Sequence, residues 1–231
     1  MSSTYDVIII GGGGHGLSTA YYLSKVYGVK NVAVLEKGWL GSGNIGRNTT
    51  IIRSNYMLPG NEPFYEFSLK LWEGLEQDLN YNAMISQRSI LNLFHSDPQR
   101  DAFVRRANAM MLAGADAELA DLAQLRKELP FLDFDNARFP IKGGLYQRRG
   151  GTVRHDAVAW GYARGADANG VDVIQNCEVH GFHIENGVCK GVRTTRGDIS
   201  AKKIAVCVAG SSGRVMAMAS MRLPIESHVL Q

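Results

Sequence analysis

Glycine residues near the start of the sequence form its clearest chemical pattern. Gly11, Gly13 and Gly16 have the G-x-G-x-x-G spacing of loops that bind dinucleotides. In such loops the first glycine allows a tight turn, the second lets backbone N–H groups approach a pyrophosphate, and the third lets the following helix pack closely. Residues 7–10 before them are all β-branched, as expected for a buried parallel strand. The pattern predicts a strand, a phosphate-binding turn and a helix over residues 16–28.

An acidic residue follows at the distance that such a fold requires. Residues 32–35 predict a second strand, and Glu36 lies 20 residues after Gly16. A carboxylate at this position accepts hydrogen bonds from both ribose hydroxyls of an adenosine and disfavours a 2′-phosphate. The alternative is a glycine-rich turn without a ligand, which would require strand, glycines, helix and acid to coincide by chance.

A polar, glycine-rich segment, residues 37–53, begins with Lys37 directly after this acid. Long irregular loops inside compact domains are usually functional. Its Lys, Asn, Thr and Arg side chains and its free N–H groups predict a lining for a cofactor. The alternative is a surface loop without a ligand.

Composition excludes several classes of function. The 231 residues carry a net charge of +3 from scattered Lys and Arg, so we expect no nucleic-acid binding. The N-terminus lacks a signal-peptide pattern, and residues 7–10 are far too short to span a bilayer, so we expect no membrane association and a cytoplasmic location. Cys177, Cys189 and Cys207 form no C-x-x-C pair, so we expect free, buried thiols and no metal site.

The rest of the sequence alternates between helical and extended patterns. Helices are predicted at residues 62–80, 97–112, 121–129 and 155–169. Strands are predicted at residues 86–95, 137–148, 171–175, 178–185, 188–195, 203–210 and 222–231, with a hairpin turn at Asn186 and Gly187. In the helix at 62–80, an apolar stripe is expected in the core, formed by Phe64, Phe67, Leu71 and Leu75 and widened by Leu69 and Trp72.

These elements predict an α/β fold. Residues 1–60 and 150–231 form a Rossmann-like dinucleotide-binding domain, and residues 61–149 form an inserted antiparallel α+β module. The glycine and serine residues at 210–213 give a second place where backbone amides could meet a ligand.

Several segments resemble the beta subunits of heterotetrameric sarcosine oxidase, which belong to the D-amino-acid-oxidase-like FAD proteins with a glutathione-reductase-type fold. These segments are the glycine turn at 11–16 with Glu36, residues 47–56, residues 86–88 and, above all, residues 151–160. The resemblance covers essentially the whole chain. The sequence Arg154-His155-Asp156 is more specific than the glycine motif.

The resemblance implies a set of contacts to non-covalent FAD. They are Gly13, Gly14, His15, Gly16, Glu36, Asn44, Arg47, Thr49, Ile51 and Val179. His15 lies inside the glycine turn, so we expect it to pack on the cofactor rather than to exchange protons. The inserted module, residues 61–149, would be a portion of the substrate domain.

The resemblance also implies that His155 carries a covalent FMN on its imidazole. A neutral imidazole is a nucleophile, and the cationic Arg149 and Arg154 could stabilise the anionic flavin or its phosphate. The residues by themselves also fit an ordinary histidine at a helix start, beside Asp156. Both interpretations stay open here.

The activity that the resemblance implies is oxidation of sarcosine to glycine, with one-carbon transfer to tetrahydrofolate and production of hydrogen peroxide. Alpha, gamma and delta subunits would complete the assembly, and the alpha subunit would carry NAD. The alternatives are a related flavin-dependent dehydrogenase acting on proline, dimethylglycine or glycine, and an inert nucleotide-binding scaffold.

Two features depart from the family pattern. Thr50 stands where single-subunit relatives have an arginine directly before Ile-Ile-Arg, so Arg53 becomes the candidate that binds the substrate carboxylate. Full beta subunits also continue well beyond Gln231, so we expect the chain to be an N-terminal portion whose own activity is in doubt.

Overall fold

A computed structural model describes residues 2–56 and 60–228. The chain divides into two compact units. Unit 1 consists of Met1–Thr49 and His155–Gln231, and unit 2 consists of Thr50–Arg154.

The strands and helices largely follow the predicted alternation. The strands are β1 (Thr4–Ile10), β2 (Val32–Leu35), β3 (Ile51–Ile52), β4 (Ile90–Phe94), β5 (Glu118–Ala120), β6 (Gly143–Gln147), β7 (Gly151–Thr152), β8 (Asp172–Ile174), β9 (Val179–Glu185), β10 (Val188–Thr194) and β11 (Gly197–Val206). The α-helices are α1 (Gly14–Lys25), α2 (Glu62–Leu79), α3 (Asp97–Leu112), α4 (Leu122–Glu128), α5 (His155–Ala168) and α6 (Ser212–Ala217). Short 3₁₀ helices span Asn44–Arg47 and Ala209–Ser211.

Unit 1 is built on a six-stranded sheet with the order β8-β2-β1-β11-β10-β9. Strands β8, β2, β1 and β11 are parallel, and β10 and β9 add an antiparallel ribbon. Ile8 and Ile9 are fully buried, as the β-branched run requires. At the carboxyl end of β1, Ile10 pairs with Leu35 and Val206. The predicted α/β class with a parallel sheet is confirmed.

The antiparallel ribbon turns where the sequence predicts it. Glu185 pairs with Val188, and the two residues between them have positive φ, 51° at Asn186 and 76° at Gly187. Two consecutive residues with positive φ define a type I′ turn, whose twist matches that of the flanking strands. The predicted hairpin is confirmed.

Unit 2 contains a three-stranded antiparallel sheet, β4-β6-β5, and the two-stranded pair of β3 with β7. Ile51 pairs with Thr152, and Ile52 pairs with Gly151. Because these two short strands hydrogen-bond to each other, the unit extends to Thr50 and Arg154 rather than to the predicted boundaries at 61 and 149.

The predicted core stripe of α2 is confirmed for Leu69 and Leu75 and wrong for Phe64 and Phe67. Phe64 is 71% exposed and Phe67 is 62% exposed, whereas Leu69 and Leu75 are buried. Leu75 is about three turns from Phe64 on nearly the same side of α2, so this side is exposed near the start of the helix and buried near its end. The side chains of Phe64 and Phe67 are therefore on the surface.

The prediction of a strand at 222–231 is also wrong for its described part. Residues 222–228 have no strand pairing, and Ser227 Oγ instead donates to the Gly210 carbonyl at 2.6 Å. Pro224 lacks the N–H that a strand ladder needs. Residues 229–231 lie outside the described part of the chain.

Candidate functional site

The glycine turn of unit 1 is set by close backbone contacts. Gly11 has φ +106°, and a Cβ there would lie 2.3 Å from the Cys207 carbonyl oxygen. A Cβ on Gly16 would lie 1.9 Å from the Gly11 carbonyl oxygen. Only glycine allows α1 to pack this close to the end of β1. The sequence correctly predicts a tight turn at Gly11 and close helix packing at Gly16.

The N-terminus of α1 is open for an anion. Gly13 is the N-cap residue, no side chain caps the helix, and the first turn contains no acidic residue. A Cβ on Gly13 would meet no described atom within 4 Å. Gly14 is the first helical residue and His15 is exposed. Uncapped N–H groups and the helix dipole make such a terminus suited to a phosphate.

Glu36 lies beside this turn, but its immediate partners are backbone amides. Its Oε2 accepts a hydrogen bond from the Gly12 N–H at 2.8 Å, and its Oε1 accepts one from the Gly38 N–H at 2.9 Å. Each carboxylate oxygen keeps a second lone pair. The two amides fix the orientation of the carboxylate and leave it able to accept from ribose hydroxyls.

The segment after Glu36 is more ordered than the predicted irregular loop. A Cβ on Gly46 would lie 1.9 Å from the Gly41 carbonyl oxygen, so this turn also needs glycine. The side chain of Ile45 lies against Gly14: a Cβ there would be 3.3 Å from Ile45 Cδ1. The segment thus returns to the glycine turn. Four residues of this segment that were predicted to contact a cofactor are exposed, namely Lys37, Asn44, Arg47 and Thr49.

Val179 differs from these exposed residues. It is only 6% exposed and belongs to the hydrophobic core of unit 1, with Leu35 and Ile174. A contact from Val179 to a cofactor would therefore come from its backbone.

His155 lies at the start of α5, and only one of its two ring nitrogens has a hydrogen-bond partner among the described residues. Its Nε2 lies 3.1 Å from the Gly46 carbonyl oxygen. A carbonyl oxygen can only accept, so Nε2 carries the proton. Nδ1 is buried and has no hydrogen-bond partner among the described residues, with the nearest carboxylate oxygen, on Asp156, at 3.7 Å. The neutral ring therefore has its lone pair on Nδ1.

The predicted site residues Ile51, Arg53, Arg149 and Arg154 belong to unit 2. Ile51 is 46% exposed in β3, and the Arg154 side chain is exposed while its N–H donates to the Ala83 carbonyl at 2.9 Å. Arg53 is half-buried, and its Cζ lies 5.0 Å from the centre of the Tyr56 ring. Thr50, before this segment, has φ 62°, which is strained for a β-branched residue.

A buried polar cluster beside Arg53 was not predicted from the sequence. Ser54 donates its hydroxyl to Glu66 at 2.8 Å, and its N–H donates to Gln147 Oε1 at 3.0 Å. Gln147 also donates to Ser54 Oγ at 2.6 Å and to Asp116 Oδ1 at 3.3 Å. The only signal in the sequence is Glu66, an acid on the side of α2 that carries buried leucines.

Arg149 belongs to the same cluster and is not free to stabilise a flavin. It forms ion pairs with Glu66 and, at 2.8 Å, with Glu73. Hydrogen bonds that Arg149 donates to Glu73 and Glu66 raise its pKa above the usual range. The ion pairs already compensate the charge of Arg149, which argues against the expectation that it stabilises an anionic flavin.

Within residues 2–56 and 60–228, no helix is long and apolar enough to cross a membrane, and no three His, Cys, Asp or Glu side chains are grouped to hold a metal ion. All three thiols are free; Cys177 is buried, and Cys189 and Cys207 are half-buried. Burial raises the pKa of the Cys207 thiol.

Comparison with known proteins agrees with this geometry. The beta subunit of sarcosine oxidase from Rhizobium meliloti (strain 1021) is 73% identical over 227 residues, covering 98% of this chain and 55% of the relative. The sarcosine oxidase beta subunit from Arthrobacter sp. is 50% identical over 229 residues, covering 99% of this chain and 56% of the relative. The chain thus spans about half the length of these curated relatives.

Solved structures share the fold. L-proline dehydrogenase from P. horikoshii superposes with a TM-score of 0.89 at 25% identity, covering 96% of this chain and 57% of that protein. Glycine oxidase from Geobacillus kaustophilus superposes with a TM-score of 0.85 at 20% identity, covering 96% of this chain and 60% of that protein. Residues 6–231 match the family described as "DAO: FAD dependent oxidoreductase". With its glycine turn, parallel sheet and acid after the second strand, the chain belongs to the DAO family of FAD-dependent oxidoreductases.

Proposed function

We propose that the protein containing this chain is the beta subunit of a flavin-dependent sarcosine oxidase. The uncapped N-terminus of α1, together with the Gly11 to Gly16 turn and the oriented Glu36 carboxylate, is the observation that carries the flavin assignment. The choice of sarcosine rests on the relatives at 73%, 51% and 50% identity, all named sarcosine oxidase subunit beta.

Unit 1 has the donors and acceptors that non-covalent FAD requires. The free N–H groups at the start of α1 would bind the pyrophosphate, and the outward lone pairs of Glu36 would accept from the ribose hydroxyls. Gly13 leaves open space at this point, because a Cβ there would meet no described atom within 4 Å. Asn44, Arg47 and Thr49 are exposed on the segment that returns to the turn and supply further polar contacts.

Covalent attachment of FMN fits the environment of His155. The buried Nδ1 has no hydrogen-bond partner among the described residues, with Asp156 Oδ1 at 3.7 Å, and the Gly46 carbonyl holds the proton on Nε2. Nδ1 would therefore be the ring atom that holds the FMN, through the 8α carbon of the flavin. Arg154, adjacent in sequence to His155, is the proposed cation that stabilises the anionic flavin.

In the proposed reaction, sarcosine loses a hydride from its methyl carbon and a proton from nitrogen, and hydrolysis of the resulting imine gives glycine and a one-carbon unit. When bound, FAD would supply the hydride acceptor and FMN a route for the two electrons to oxygen, which would be reduced to hydrogen peroxide. Arg53 binds the substrate carboxylate by a charge-assisted hydrogen bond. Tetrahydrofolate takes up the one-carbon unit, and alpha, gamma and delta subunits complete the enzyme.

Turnover by the full-length protein, co-expressed with its partner subunits, tests the proposed reaction. Oxygen consumption and peroxide release are measured with sarcosine, proline, dimethylglycine and glycine. We expect a yellow protein whose kcat/KM is highest for sarcosine. Preference for proline, in line with the structural similarity to L-proline dehydrogenase, would replace the substrate assignment, and a colourless protein would contradict the flavin assignment.

The covalent FMN has a separate test. Acid-precipitated beta chain should stay yellow, and the tryptic peptide 155–164 should carry the mass of one FMN. His155→Ala should remove this label and leave non-covalent FAD bound, while the exposed His180→Ala should keep both. A colourless precipitate with an unmodified peptide would overturn the assignment of FMN to His155.

A further inference from the structure

Unit 2 contains three half-buried arginines, and they differ in how their charge is compensated. Arg149 is paired with Glu66 and Glu73. Arg53 and Arg106 form no ion pair with any carboxylate of the described residues. A partly buried cation without a counter-charge is unfavourable, because burial weakens its hydration.

Arg106 extends from α3 to the segment that carries Arg53. Its Nη2 donates to the carbonyl oxygen of Asn55, two residues after Arg53. Asn55 is only 1% exposed, and its Nδ2 donates to Asn92 Oδ1 at 3.0 Å. Arg106 is thus anchored to a fixed backbone atom. Its Nε is buried and has no hydrogen-bond partner among the described residues.

The two guanidinium groups are close enough to influence each other. Burial and, secondarily, the charge of Arg53 lower the pKa of Arg106. Arg53 is also constrained, because its Cζ lies 5.0 Å from the Tyr56 ring, and this ring stacks on Tyr65 with a centroid distance of 3.9 Å. Both cations are held by neighbouring contacts instead of extending freely into solvent.

We propose that Arg106 is a second residue of the substrate carboxylate site, acting together with Arg53 and selecting amines that carry a free carboxylate. A carboxylate has two oxygens and can accept from both guanidinium groups at once, which removes the repulsion between them. This inference deepens the proposed function and rests on it, since it names the group that selects the substrate class.

The experiment compares sarcosine with its neutral analogue N-methylglycinamide in the full-length assembled enzyme. The ratio of their kcat/KM values reports selectivity for the carboxylate. Arg106→Gln should lower this ratio about 10-fold or more, mainly through a higher KM for sarcosine, because a charge-assisted hydrogen bond is lost. Arg105→Gln, which removes an exposed charge one position away on α3, should leave the ratio unchanged.

Arg106→Lys keeps the charge on a shorter side chain that cannot both reach the Asn55 carbonyl and bind the ligand, and it should lower the ratio by a smaller factor. If Arg106→Gln does not fold, Arg106→Lys is used in its place to measure the ratio. An unchanged ratio in the folded Arg106 variants, or an equal loss of activity on both substrates, would overturn the inference and assign Arg106 a structural role. Failure of the parent enzyme to oxidise sarcosine would instead overturn the proposed function.

Discussion

The glycine turn of unit 1 and the polar cluster of unit 2 organise charge in different ways. In the turn, backbone amides are exposed by the absence of side chains, and Glu36 is the carboxylate that backbone N–H groups orient. In the cluster, Ser54, Glu66, Gln147 and Arg149 compensate one another through side-chain hydrogen bonds and ion pairs. The geometry of the turn therefore requires that Gly11 and Gly16 carry no side chain. The stability of the cluster requires that each polar side chain keeps its partners.

The strongest test of this difference is a methyl group added to the turn. Gly16→Ala places a Cβ 1.9 Å from the Gly11 carbonyl oxygen. Because this oxygen belongs to the backbone, the clash can be relieved only if α1 moves away from β1. We expect a loss of about 4 kcal/mol in the free energy of unfolding, measured by denaturant titration.

Gly13→Ala is the matched control for this change. Its Cβ would meet no described atom within 4 Å, and φ is −84°, which alanine adopts without strain. Its cost should stay below about 1 kcal/mol. Equal losses in the two variants would show that space is not what the turn requires.

The polar cluster should respond to removal of one charge. Glu66→Ala leaves the Ser54 hydroxyl without its acceptor and Arg149 with one carboxylate, and we expect a loss of about 2–3 kcal/mol in the free energy of unfolding. Glu73→Ala removes the more exposed partner of Arg149 and should cost less. If both variants cost the same, burial of Glu66 contributes nothing.

Removal of Glu36 tests whether the turn binds adenosine through its acid. Glu36→Ala should weaken FAD binding by about 1–3 kcal/mol, the scale of a charge-assisted hydrogen bond. FAD content of the purified full-length variant and its binding isotherm are the measurements. The exposed Glu185→Gln is the control, and equal FAD occupancy in Glu36→Ala and the parent would refute the ribose contact.

The smallest expected effect concerns an exposed ion-pair group of unit 2. Hydrogen bonds from Arg148 and Gln124 lower the pKa of Glu128 from 4.5 to about 2. Because the folded-state pKa is depressed, the stability that Glu128 contributes is fully present above pH 4.5 and is lost as the pH falls towards 2. Glu128→Gln should flatten the fall in unfolding free energy over this range, and an unchanged slope would count against the ion pair.

The sequence by itself determined the elements that depend on local pattern. The glycine spacing, the β-branched run before it and the Asn186-Gly187 turn each require a particular backbone geometry, and each forms where predicted. The strands, helices and α/β class follow from the same local constraints. The family resemblance also came from local segments, and the comparison with full-length relatives agrees with it.

Only the tertiary structure decided which side chains compensate which charges. The ion pair of Arg149 with Glu66, the hydrogen bond of Arg106 to Asn55 and the contact of His155 Nε2 with Gly46 all join residues far apart in sequence. Which residues of α2 are buried was likewise decided only by the tertiary structure, because the apolar residues lie on more than one side of the helix. Helical spacing gives the angle between side chains around the helix axis, whereas the neighbouring elements determine which side of the helix is buried.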